Sequence, residues 1–93
     1  MVFVSAASIW EAAIRLELGG LTVAMDDLFQ GIEGSGFLEL PITARQSTLV
    51  LQLPTYHRDP CDRLLIAQAI HETLRLLTAD SSLQPYSPLV GLI

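Results

Sequence analysis

Residues Pro60 to about Thr73 constrain this chain more than any other stretch. Leu64, Leu65, Ile66, Ala67, Ala69 and Ile70 put apolar side chains on nearly every side of the helix they would form. A helix that is apolar all round has to be buried, so the other elements must cover it. Its start is marked as well. Asp59 suits an N-cap, Pro60 fits the first helical position, and Asp62 favours the positive helix end. On local chemistry alone, Asp62 reads equally as a helix-end acid or as a metal ligand.

The flanking sequence alternates strands and helices. Val2-Phe3-Val4 reads as a buried strand ending at Ser5. Ser8 and Glu11 have capping-box spacing for a helix through about Leu18, which Gly19-Gly20 ends. A second helix is expected from about Asp26 to Ile32 or Glu33, stopped by Gly34-Ser35-Gly36. Phe37 to Ile42 reads as a strand, with Pro41 at its end or on an exposed edge. Thr43 can cap a helix over Ala44 to Leu53. Arg75 to Thr78 reads as a third strand ending at Ala79-Asp80. A short loop with Pro85 and Pro88 then leads to a terminal strand, Leu89 to Ile93. This order predicts an α/β fold with a parallel sheet, whose ligands collect beyond the carboxyl ends of the strands. Asp80 sits at such an end, and Asp62 opens the helix that leads into that strand.

Composition narrows the function. Ninety-three residues, 51% of them apolar, suffice for one small folded domain. Ten acidic residues against five arginines give a net charge of −5, so bulk attraction to phosphate does not explain nucleic-acid binding. Such chemistry would need bridging metal ions, local arginines or a partner. Cys61 is the only cysteine, which fits a reducing compartment. No basic segment precedes the apolar start, and no run approaches the roughly 18 residues of a membrane span. The expectation is a soluble, cytoplasmic protein.

Three blocks carry a sharper signal. They are Val2 to Glu11, Gly36 to Thr43, and His57 to Ala69 continuing into Leu77-Thr78-Ala79-Asp80. In this order they resemble PIN-domain ribonucleases of the VapC toxin family, whose signature helix looks like H-R-D-P-x-D-R-L-L-I-A-Q-A. The resemblance implies acidic residues that bind Mg²⁺ or Mn²⁺ to hydrolyse RNA, an antitoxin partner and a homodimer. Residue by residue, Glu11, Asp62 and Asp80 fall on the family's second, third and fourth acidic positions. Asp59 falls on an additional acid, and Arg58 or Arg63 would hold an RNA phosphate.

The family normally opens with a strand-helix unit of about 30 residues carrying its first catalytic aspartate. Aligned in this way, the chain begins after that unit. The expectation is therefore a single truncated PIN-like domain over residues 1–93. Its three-layer α/β/α fold would have a parallel sheet of about four strands and lack the family's central first strand. Pairing of the exposed strands, dimerisation or strand exchange would close the gap. The expected function is a metal-dependent endoribonuclease, the toxin of a toxin–antitoxin pair, inactive if truncation removes an essential ligand. The alternative is a non-catalytic oligomerisation or protein-binding module derived from such a domain.

Each acid also has a structural role open to it. Glu11 can close a capping box with Ser8, Asp59 can cap the helix, and Asp80 can cap a turn through Ser81-Ser82. His57 and His71 lack the spacing of a zinc site. Cys61 is read as buried packing, and Trp10 as core rather than a stacking surface.

Overall fold

The computed structural model describes residues 2–20, 24–56, 59–78 and 80–92. The chain forms two compact units, Met1–Pro41 and Ile42–Ile93.

The first unit opens with strand β1, Phe3–Ser5, and passes directly into helix α1, Ala6–Glu17. Ser5 is the N-cap, its hydroxyl accepting from the Ala7 amide at 3.1 Å. The expected Ser8–Glu11 capping box does not form, because the helix starts a turn earlier and both residues lie within it. Helix α2 spans Met25–Gly34, with Asp26 and Asp27 in the first turn where the helix end is positive. Strand β2, Leu38–Leu40, then pairs in parallel with β1, Phe3 opposite Leu38 and Ser5 opposite Leu40.

The second unit starts at a true capping box. Thr43 accepts from the Gln46 amide, and the Gln46 side chain accepts from the Thr43 amide. Helix α3, Ala44–Thr48, runs into a 3₁₀ turn, Leu49–Gln52. Helix α4, Pro60–Glu72, follows, with Asp59 at its N-cap. Strand β3, Leu76–Thr78, a 3₁₀ segment over Ser81–Tyr86 and strand β4, Val90–Leu92, complete the unit. The strands β3 and β4 pair in parallel, Leu76 opposite Val90 and Thr78 opposite Leu92. Ile66 of α4, Leu83 and Val90 form the core, with Leu53, Leu76 and Tyr86 packed against it.

Helix α4 buries Cys61, Ile66, Ala67, Gln68 and Ala69, whereas Ile70 stays exposed. Of the apolar residues read from the sequence, Ile66, Ala67 and Ala69 are buried, Leu64 and Leu65 are half-buried and Ile70 is exposed. Among the described residues, Gln46 and Gln68 are the buried polar ones. The Gln46 amide accepts from Gln68 Nε2 at 3.3 Å and donates to Glu72 Oε1 at 2.7 Å and His71 Nδ1 at 3.1 Å. One carboxamide thus ties the start of α3 to the last two turns of α4.

The helices α1, α2 and α4 share one ending. A backbone amide reaches back five residues to close the last turn: Gly20 to Arg15, Phe37 to Ile32, Leu74 to Ala69. The residue before that amide is Gly19 (φ 78°), Gly36 (φ 76°) and Thr73 (φ 53°) respectively.

Two fold expectations are corrected. The four strands do not build one sheet but two separate two-stranded parallel sheets, β1–β2 and β3–β4. Each strand's own pattern was readable, but its partner is chosen by packing far along the chain. The chain also opens on a strand-helix unit, β1–α1, which the expectation held to be missing. In that unit β1 is hydrogen-bonded to β2.

Charge divides unevenly between the units. Residues 1–41 hold six of the ten acids and one of the five arginines. Residues 42–93 hold four of each, so the net charge of −5 belongs wholly to the first unit. Among the described residues, no helix is long and apolar enough to cross a membrane.

Candidate functional site

The site is best built from the start of α4. Asp59 turns its carboxylate onto the helix end, Oδ1 accepting from the amides of Cys61 at 2.9 Å and Asp62 at 3.3 Å. Pro60, which has no amide hydrogen, occupies the first helical position at no cost. This cap fixes Asp62 in the first turn, where its half-buried side chain meets the positive helix end. The next residue, Arg63, donates from Nη1 to the Pro54 carbonyl and from Nη2 to the Val50 carbonyl, each at 2.9 Å. It therefore holds the loop before α4 against the helix.

Asp80 comes after β3, a strand that packs against α4. Its Oδ1 accepts from the Ser82 amide at 2.9 Å and the Ser82 hydroxyl at 2.6 Å, capping the 3₁₀ segment. The turn-capping role read from Ser81-Ser82 is therefore real, and it fixes the carboxylate's position.

The remaining expected residues stand elsewhere. Glu11 belongs to the first unit, on α1, where its Oε1 accepts from Arg15 Nη2 at 2.7 Å one turn on. His57 and Arg58 lie outside the described residues. Cys61 is buried, in keeping with packing. Trp10, expected in the core, is 56% exposed.

A feature missed in the sequence lies between the two loops. The Tyr56 and Tyr86 rings have their centroids 5.2 Å apart, tilted at 59°. Tyr86 is packed on the core, whereas Tyr56 is 63% exposed. Tyr56 precedes the Asp59 cap and Tyr86 ends the segment capped by Asp80. Only the fold brings the two rings together.

Oxygen-only ligands suit a hard divalent cation. Among the described residues, no three His, Cys, Asp or Glu side chains are grouped as a metal site would require of them. Magnesium makes a smaller demand: it keeps several waters and is commonly held by one or two carboxylates plus substrate phosphate. Asp62 and Asp80 are both carboxylates of the second unit.

Compared with known protein families, residues 1–86 match the PIN domain. The chain belongs to the PIN-domain family. No curated protein and no solved structure matches it. The family match begins at residue 1, and the chain opens on β1 and α1. This corrects the expectation of a PIN-like domain that lacks its N-terminal strand-helix unit. The acids of that opening unit are Glu11 and Glu17. PIN domains are in general metal-dependent, and those of the toxin type act with RNA and antitoxin partners.

Proposed function

We propose that this PIN-domain protein is a metal-dependent endoribonuclease, the toxin of a toxin–antitoxin pair. The observation that carries the reading is the family match across residues 1–86, which crosses from one unit into the other. The same match supports reading residues 1–93 as one PIN domain. Asp62 and Asp80 would hold Mg²⁺ or Mn²⁺, directly or through water. When bound, the metal would activate water and stabilise charge on the scissile phosphate. Arg58 or Arg63 would hold an RNA phosphate, Arg63 by exchanging a carbonyl partner, Pro54 or Val50, for it.

The partners follow from this reading. An antitoxin would occupy the protein until RNA is to be cut, and two copies would form a homodimer. The exposed Trp10, Phe29 and Phe37 of the first unit support a surface used by other chains. The setting that goes with the reading is the cytoplasm, where Cys61 stays a thiol.

The test is cleavage of RNA in Mg²⁺, compared with EDTA and with Asp62→Asn. Outer-shell changes at metal sites cost about 10- to 100-fold, so a direct ligand should cost at least about 100-fold in kcat/KM. Cleavage that survives EDTA, or that is equal in wild type and variant, would end the enzyme reading.

A further inference from the structure

We propose that His71 is a proton-operated latch between α3 and α4. Neutral, its ring accepts a hydrogen bond from the buried Gln46 amide and holds the two helices together. Protonated, it leaves Gln46 for the Glu72 carboxylate, and α3 loosens. The device belongs to the fold of the second unit and is independent of the ribonuclease reading.

The orientation of the Gln46 amide is fixed by its surroundings. Its oxygen accepts from the Thr43 amide at 3.2 Å and from Gln68 Nε2 at 3.3 Å. Turned over, the amide would set its nitrogen against these two donors and its oxygen against the Glu72 carboxylate. Nε2 therefore faces the end of α4, with two hydrogens for two acceptors. One goes to Glu72 Oε1 at 2.7 Å and the other to His71 Nδ1 at 3.1 Å. A histidine that accepts at Nδ1 is neutral and carries its proton on Nε2.

A proton added at Nδ1 would put two donors face to face across 3.1 Å. Gln46 is fully buried and cannot turn away. The ring can. The side chains of His71 and Glu72 are 41% and 39% exposed, and Nδ1 lies 3.9 Å from Glu72 Oε1. A small rotation converts that approach into a charge-assisted hydrogen bond. Among the described residues, no other charged group contacts the ring. Arg45 of α3 forms no ion pair with His71 or Glu72, the 3₁₀ turn Leu49–Gln52 has no ionisable side chain, and Arg75 beside β3 lies over Gly91. The bond to Gln46 that is lost and the pair with Glu72 that is gained act in opposite directions. The proton thus changes the partner of His71 and the hold on α3 more than it changes global stability.

The test is NMR of the isotope-labelled full chain between about pH 8 and about pH 5, the range in which histidine takes up its proton. At the upper end, His71 should carry its proton on Nε2. As it titrates, the side-chain NH₂ resonances of Gln46 should shift with the same midpoint. The amides of Gln46, Ser47 and Leu49, which are hydrogen-bonded in α3, should lose about three- to tenfold in protection from hydrogen exchange, the worth of one hydrogen bond. His71→Phe should abolish both changes, and the wild-type spectra decide even if that variant folds poorly. A proton on Nδ1 at about pH 8 would overturn the latch. So would Gln46 resonances or α3 exchange that ignore the His71 midpoint, and so would an equal loss of protection in every helix, which is global unfolding.

Discussion

Gln46 is fully buried and yet polar, and every polar atom of its side chain is spoken for. Its oxygen accepts from Thr43 and Gln68, and its nitrogen donates to His71 and Glu72. A buried group of this kind is stabilising only while the set is complete. Gln46→Leu keeps much of the volume but strands the amides of Thr43 and Gln68 and the Glu72 carboxylate. Chemical denaturation should show a loss of about 2 kcal/mol. An unchanged midpoint would mean that water replaces the lost bonds. Gln46 stands three residues after Thr43, the spacing of the capping box it forms, but its other partners, Gln68, His71 and Glu72, lie on another helix. The acids were legible for the opposite reason, since caps and helix ends are decided within four residues. Even there, spacing misled once: Ser8 and Glu11 fit a capping box that Ser5 pre-empts.

At the scale of elements, three helices end on the same hydrogen-bonded turn but on different residues. Two use glycine at the left-handed position, and α4 uses Thr73 with φ 53°. A β-branched residue there is strained, because its Cβ crowds the backbone. Thr73→Gly should therefore stabilise the protein by about 1 kcal/mol, in spite of glycine's larger entropy when unfolded. Thermal unfolding measures this, and a lower Tm would show that Thr73 is held there by contacts worth more than the strain. The strands show where reading by element stops. The short apolar stretches marked β1, β3 and β4 nearly to the residue, whereas the expected Phe37–Ile42 strand is only Leu38–Leu40. Which strand lies beside which depends on contacts far along the chain, and one expected sheet became two.

For the whole molecule, the net charge of −5 had argued against RNA as a ligand held by bulk attraction. That objection weakens once the charge is seen to lie in residues 1–41. Only a few arginines remain to meet phosphate, Arg58 and Arg63 foremost. Binding of single-stranded RNA should accordingly depend weakly on salt. Two phosphate contacts imply a loss in affinity of less than about tenfold between roughly 50 and 200 mM salt. A loss of several hundredfold would require many more cationic contacts than these loops supply.

The uneven charge also divides the work of staying dispersed. A surface near electroneutrality has little to keep its copies apart, whereas a strongly acidic one repels them. Residues 42–93, read as the RNA-facing part, contribute no net charge to that repulsion. The colloidal stability of the chain is therefore carried by residues 1–41. Substitutions that neutralise Asp26, Asp27 or Glu33 would leave the loops around Asp62 untouched and still bring the protein closer to precipitation.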